Sequence, residues 1–210
     1  MNLGKLKRSA EVFLQRYPGG FDNPEIIAIR KKKYNVDKMI AFAQESFARR
    51  NFKLPDQIVQ NMIKVVSRSS VISVFEKPRF RDFLESFSPD NRRWLTSGVE
   101  ELLHGNEQTG FESMLNILKS GNLAKWSLMT VSQTYFHPHK DVLVKPTTVK
   151  GIIDYFELND LQYRPAPTWA FYQAYRSTIH EMNLKVHPSL SPSNAAFSGF
   201  LLLSFHEKVF

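Results

Sequence analysis

Apolar residues recur at helical spacing along nearly the whole chain, and this periodicity restricts its fold more than any other feature. Ile29, Val36, Ile40, Ala43 and Phe47 follow one another at intervals of seven, four, three and four residues, which aligns them on one stripe of a helix surface. Similar stripes continue towards the C-terminus with short connections between them. The sequence therefore predicts an all-α protein, a compact multi-helix domain of about nine or ten helices.

Turn and cap residues set the predicted helix boundaries. Asn23-Pro24 and Ser88-Pro89 each place a capping side chain before a proline, a combination typical of helix N-termini. Asn35 is expected to divide the first long stripe into two helices, because its short side chain favours a helix end. Residues 71–75 are rich in β-branched side chains, but a lone strand has no partner and is not stable. The last helix, capped by residues 190–194, is the most apolar and is expected at the centre.

The chain is long enough for a single domain of residues 1–210 with a substantial core. No linker forces a boundary, and the turn at Phe87-Ser88-Pro89 is the natural seam if there are two sub-lobes, 1–87 and 88–210. The absence of cysteine excludes disulfides and thiolate catalysis. The start of the chain has no apolar signal segment, and its longest apolar run falls far short of the ~20 residues of a membrane span. We expect a soluble, cytoplasmic protein without membrane contact.

The positive charge lies almost entirely in the first 81 residues. Residues 1–81 hold 17 Lys or Arg against 7 Asp or Glu, whereas residues 82–210 hold 11 against 13. A one-sided positive field favours a polyanionic partner, and a phosphate backbone is bound by several cations at once. The leading interpretation is nucleic-acid binding through the N-terminal basic helices, with Tyr34, Phe47 and Phe52 interleaved for stacking. The expected phosphate contacts are Arg30, Lys31, Lys32, Lys33, Arg49, Arg50, Lys64 and Arg68.

Two other functions stay open at this point. The basic half would also suit an acidic protein partner, which would make the chain an interaction module or a subunit. An enzyme would need a pocket, and the C-terminal half offers Lys145, Thr147, Trp169 and Tyr172 for its lining. At helical spacing, the aromatic cluster around Trp169 and Tyr172 is more typical of a core. No catalytic residue, cofactor or oligomeric state follows from the sequence.

The histidines and carboxylates form no convincing metal site. His137-Pro138-His139 with Asp141 supplies two imidazoles and a carboxylate, but His180 would have to come from another helix to complete a ligand set. The expectation is therefore that no metal is bound. Arg176, His180 and Glu181 share one helix and are interpreted as a surface with pairing between side chains four residues apart.

Three segments in the C-terminal half carry a resemblance to known proteins. They are Ala124-Lys125-Trp126, then Lys145-Pro146-Thr147-Thr148-Val149-Lys150, and finally Tyr163 with Pro167-Thr168-Trp169 and Tyr172. Over roughly residues 80–205 the chain resembles a group of conserved bacterial proteins of unassigned function. Because the function of that group is unassigned, the resemblance does not indicate which activity this chain has. The order of buried helix, loop and short helix around Lys145 is similar to the helix-hairpin-helix DNA glycosylases. The Gly-rich hairpin of that family is missing and Asp141 lies too early for its hallmark acid, so the likeness implies the fold alone.

Overall fold

The computed structural model describes residues 1–33 and 35–205, and the side chains of all of these except residues 31–33. The described residues form eleven α-helices and three short 3-10 helices and contain no strand, which confirms the all-α prediction. The α-helices are α1 (Leu3–Arg16), α2 (Pro24–Lys33), α3 (Val36–Ser46), α4 (Pro55–Arg68), α5 (Glu76–Glu85), α6 (Pro89–His104), α7 (Glu107–Ser120), α8 (Trp126–Phe136), α9 (Pro146–Tyr155), α10 (Trp169–Asn183) and α11 (Asn194–Ser204). The 3-10 helices are Gly20–Asp22, Arg49–Lys53 and Pro188–Leu190.

The helix boundaries follow the capping residues closely. The Asn23 side chain accepts a hydrogen bond from the Glu25 amide at 3.0 Å, and Ser88 accepts one from the Asn91 amide at 3.3 Å. Both bonds satisfy amides that the first turn of a helix leaves without partners. Asn35 separates α2 from α3 as expected, but it does so with a left-handed backbone (φ 46°) and not with a side-chain cap.

The β-branched segment at residues 71–75 forms turns between α4 and α5, and no strand. Ile72 is the one side chain of this segment that enters the core. Val74 and Phe75 remain 69% and 81% exposed. A single short stretch without a neighbouring strand has nothing to pair with, so its β propensity has no effect.

Helix α8 lies at the centre of the molecule, and every residue from Trp126 to Tyr135 is buried. The expectation that the last helix is central is wrong, because α11 buries only one face, which includes Phe197 and Phe200. The central helix is not the most apolar one because it carries six hydroxyl or amide side chains. Two of them are satisfied within the helix, where the Thr130 and Thr134 hydroxyls donate to the Trp126 and Thr130 carbonyls at 2.8 and 2.7 Å.

Most of the remaining helices pack in two groups. Helices α3, α4, α6 and α7 contact α8, while α1, α9 and α10 contact α11. Helices α6 and α7 form the most closely packed pair, and Gly110 of α7 lies directly against the backbone of Leu102 in α6. Buried apolar side chains form one cluster from Leu6 to Leu201. The division into sub-lobes 1–87 and 88–210 stays a prediction.

None of the helices within residues 1–33 and 35–205 combines the length and the apolar character that a membrane crossing requires.

Candidate functional site

A tight turn after the central helix positions the most polar cluster in the protein. Pro138 cannot continue α8, so the chain turns there, and the amides of Lys140 and Asp141 both donate to the His137 carbonyl, at 3.0 and 2.9 Å. The start of α11 holds this turn from the other side, because the Asn194 amide donates to the Pro138 carbonyl at 2.8 Å. The Asn194 side chain also donates to the Asp141 carbonyl at 3.2 Å.

Asp141 is the centre of this cluster and is only 3% exposed. Its carboxylate accepts hydrogen bonds from the Tyr172 hydroxyl at 2.9 Å and from the Arg176 guanidinium at 2.8 Å. Its second oxygen lies 3.0 Å from His137 Nδ1. Burial alone would raise the pKa of Asp141, but the hydrogen bonds from His137, Arg176 and Tyr172 outweigh it and lower the pKa. The buried carboxylate is therefore held in its ionised form.

A second carboxylate extends the cluster towards the surface. Glu107, at the start of α7, pairs with Arg176 at 2.5 Å and with Lys140 at 2.6 Å. Burial would raise the pKa of Glu107, but its bonds to the two cations lower it. Two carboxylates and two cations thus balance each other, a pattern that lets charge be buried at a tolerable free-energy cost.

Tyr172 and Trp169 close the network on its inner side. Burial and the neighbouring Asp141 carboxylate raise the pKa of the Tyr172 hydroxyl well above its ordinary value, so it stays a hydrogen-bond donor. The Tyr172 ring stacks on Phe111 with centroids 5.7 Å apart. The Arg176 guanidinium lies over both Tyr172 and Trp169, 5.3 and 5.6 Å from the ring centroids. This end of the network is packed core.

A cleft of about 530 Å³ opens between α3 and the turn, and we refer to it as the α3 cleft. Its apolar lining is Ile40, Phe136, Pro138 and Pro192, and its polar lining is Arg30, Asp37, Gln44, His137, His139, Lys140 and Ser193. The lining therefore combines an apolar wall with four basic side chains and a single carboxylate. His137 links the cleft to the buried network, since its ring lines the cleft while its Nδ1 lies beside Asp141.

The structure places the cations predicted to contact phosphate at several distinct positions. Arg30 lies in the α3 cleft, pairs with Asp37 at 3.2 Å and covers the Phe21 ring at 5.9 Å. Arg49 donates to the His104 carbonyl at 3.0 Å, and Arg50 pairs with Glu45. These arginines are thus partly committed within the protein. The side chains of Lys31, Lys32 and Lys33 lie outside the described residues.

Lys64 and Arg68 are brought together on the exposed face of α4. The Arg68 guanidinium lies 4.7 Å from the centroid of the half-buried Phe42 ring on α3. The aromatic residues expected between the cations are placed differently, since Phe47 and Phe52 are buried and Tyr34 lies outside the described residues. The sequence does not predict the contact between Phe42 and Arg68, because nothing near Phe42 in the sequence shows that α4 places a cation against it.

The four residues expected to line an enzyme pocket do not line the α3 cleft. Lys145 and Thr147 are exposed where α9 begins, whereas Tyr172 is buried against Trp169 with ring centroids 5.8 Å apart. The pocket at these four positions stays a prediction. Tyr172 belongs to the core, as the helical spacing indicates, and the half-buried Trp169 packs against it.

Arg176 and His180 do not pair along the helix surface, so that interpretation of α10 is wrong. Arg176 reaches Glu107 and Asp141 instead, and His180 Nε2 lies 3.2 Å from the Asn194 side-chain amide. The sequence could not indicate these partners of Arg176 and His180, because they come from α7, the turn and α11, which are distant in sequence. Within the described residues, no group of three or more His, Asp or Glu side chains is arranged to hold a metal ion.

The fold and the site thus define an all-α protein with a buried ionic network beside a basic cleft. Comparisons of the chain with protein-family models, with curated proteins and with solved structures find no match. The two resemblances noted from the sequence stay predictions.

Proposed function

We propose that this protein binds nucleic acid as a polyanion on the surface formed by Lys38, Phe42, Lys64 and Arg68, which we call the α3–α4 face. The observation that carries the proposal is the Arg68–Phe42 pair with Lys64 one helical turn away. Such a surface offers cations for phosphates and an aromatic edge for a base in one place.

The cations of this face are available to a ligand. Lys38 and Lys64 are exposed and have no ion-pair partner among the described side chains, unlike Arg30 and Arg50. A phosphate that approaches Lys64 therefore displaces only water and counterions, and counterion release is the main source of affinity for nucleic acid. Contact with Arg50 would first have to break its pair with Glu45.

The chemistry of this face predicts that it binds the phosphate backbone of nucleic acid without strong preference for base sequence. Lys38, Lys64 and Arg68 are cations, and cations donate readily to phosphate oxygens. Phosphate contacts position a nucleic acid but carry no sequence information. A cytoplasmic location, where nucleic acid is present and thiols are reduced, belongs to the same proposal and fits the absence of cysteine.

The test is electrophoretic mobility shift with a single-stranded and a double-stranded oligonucleotide at low and moderate salt. We expect the Lys64→Gln/Arg68→Gln variant to bind about tenfold more weakly at low salt, because it removes two phosphate contacts. The matched control is Lys7→Gln/Arg8→Gln, which removes the same charge from the exposed side of α1.

Two results would contradict the proposal. One is the absence of any shift at low salt, and the other is equal weakening by the α4 and α1 variants, which would indicate a diffuse charge effect. Poly-glutamate serves as a competitor in the same assay. If it competes as well as the oligonucleotide at equal charge, an acidic protein becomes the better-supported partner.

A further inference from the structure

We propose that the α3 cleft binds a nucleoside monophosphate unit, with its phosphate at Arg30 and His137 and its base against the apolar wall. The unit is either a free nucleotide or the terminal nucleotide of a nucleic acid. The proposal shares its ligand class with the proposed function, but it names a separate site and does not need the α3–α4 face.

The size and lining of the cleft suit a ligand that is partly aromatic and partly anionic. Its volume of about 530 Å³ lies in the range of small-molecule sites. Ile40, Phe136 and Pro138 supply apolar surface to the lining, and a planar base packs favourably against apolar side chains. Arg30, His137 and His139 stand among them, so the same cleft offers donors for phosphate oxygens.

His137 is the best-positioned of these donors. Asp141 engages its Nδ1 at 3.0 Å and is itself fixed by Tyr172 and Arg176. A carboxylate at Nδ1 accepts the N–H there and sets the orientation of the ring, and Nε2 donates to a phosphate oxygen in the imidazolium form, in which both ring nitrogens carry a proton. Among the described residues, Nε2 of His137 has no protein partner, and the side chain is 26% exposed. The buried network thus fixes the orientation of the His137 imidazole in the lining of the cleft.

Arg30 supplies the permanent charge. One guanidinium nitrogen pairs with Asp37 at 3.2 Å, and the Asp37 side chain is 79% exposed. A guanidinium has five N–H donors, so this single pair leaves others for a phosphate. An exposed ion pair is worth little, so a phosphate dianion can compete with Asp37 for Arg30. Asp37 is therefore expected to weaken the binding of the anion.

Helix α3 contributes residues to both the cleft and the α3–α4 face. Asp37, Ile40 and Gln44 line the cleft, and Phe42 meets Arg68 on α4. At 100° per residue, Lys38 lies on the exposed stripe between these two sides. A strand bound on the α3–α4 face reaches the cleft across this stripe, where the Asp37 and Glu45 carboxylates are exposed beside Lys38.

The test compares AMP with adenosine by isothermal titration calorimetry, because the two differ only in the phosphate. We expect AMP to bind and adenosine to bind at least about tenfold more weakly. Arg30→Gln and His137→Asn should each weaken AMP binding about tenfold. Asp37→Asn should strengthen it a few-fold, because it removes the competing carboxylate. Arg79→Gln, an exposed charge loss on α5, is the matched control.

The outcomes separate this inference from the proposed function. The inference is overturned if AMP does not bind or if AMP and adenosine bind equally. It is also overturned if the affinity for AMP is unchanged in both Arg30→Gln and Asp37→Asn. Melting curves confirm that these variants are folded. Lys64→Gln/Arg68→Gln should leave AMP binding intact even if it abolishes oligonucleotide binding. Displacement of AMP by an oligonucleotide with a 5′-phosphate, but not with a 5′-hydroxyl, identifies a nucleic-acid end as the source, whereas displacement by neither identifies a free nucleotide.

Discussion

At the scale of single residues, Asp141 determines how the candidate site is built. It is buried and accepts hydrogen bonds from a tyrosine, an arginine and a histidine. Removing one partner from such a group leaves a buried charge uncompensated, which costs far more than an exposed ion pair is worth. Asp141→Asn would remove one of the two carboxylates that compensate the charge of Arg176, and Glu107 would be the one that remains.

We therefore expect Asp141→Asn to lower the free energy of unfolding by about 3 kcal/mol at pH 7. Urea denaturation followed by circular dichroism measures the change. The control is Asp154→Asn on α9, an exposed carboxylate that should alter stability by less than about 0.5 kcal/mol. Equal effects of the two substitutions would show that the buried network contributes nothing to stability.

The same network predicts how stability depends on pH. The pKa values of Asp141 and Glu107 are lowered in the folded protein, so the unfolded chain takes up protons first when the pH falls. The stabilisation is fully present above the unfolded pKa values and is lost as the pH falls through the lowered pKa values of the folded protein. Denaturation curves at stepped pH should show this loss in the wild type and a shallower loss in Asp141→Asn. Parallel profiles for the two proteins would contradict it.

At the scale of helices, the sequence predicts most boundaries because caps and prolines act locally. Pro24, Pro55, Pro89 and Pro146 each begin a helix where they stand in the sequence. The identity of the central helix could not be predicted, because α8 is buried by four other helices and not by its own composition. Average apolarity describes one helix, whereas burial depends on how many neighbours surround it.

Packing between α6 and α7 gives the clearest test at this scale. A Cβ on Gly110 would overlap the backbone nitrogen and Cα of Leu102, so Gly110→Ala must push the two helices apart. We expect a loss of more than about 2 kcal/mol in the free energy of unfolding. Gly199→Ala in α11 is the control, because its Cβ would meet nothing within 4 Å. It should raise stability by about 0.5–1 kcal/mol, since alanine is the better helix former. Similar losses in both would refute the close packing.

At the scale of the whole molecule, nearby carboxylates offset part of the formal charge of the N-terminal half. Arg30, Arg50 and Arg81 are each paired with a nearby carboxylate. The sequence shows the excess of cations but not these pairs, because Arg30 meets Asp37 only after the chain bends at Asn35. The α3 cleft was equally hidden, since its walls come from α2, α3 and the turn after α8.

This distinction between paired and available cations leads to a measurable difference in salt dependence. If nucleic acid binds on the α3–α4 face, Lys64→Gln should reduce the slope of log affinity against log salt by about one, because one phosphate contact and its released counterions are lost. Arg50→Gln removes the same formal charge but leaves the slope nearly unchanged, since Arg50 is already paired with Glu45. Fluorescence anisotropy with a labelled oligonucleotide over a salt series measures both slopes. Equal reductions of the two slopes would mean that the partner responds to net charge, and would contradict the assignment of the α3–α4 face as the contact surface.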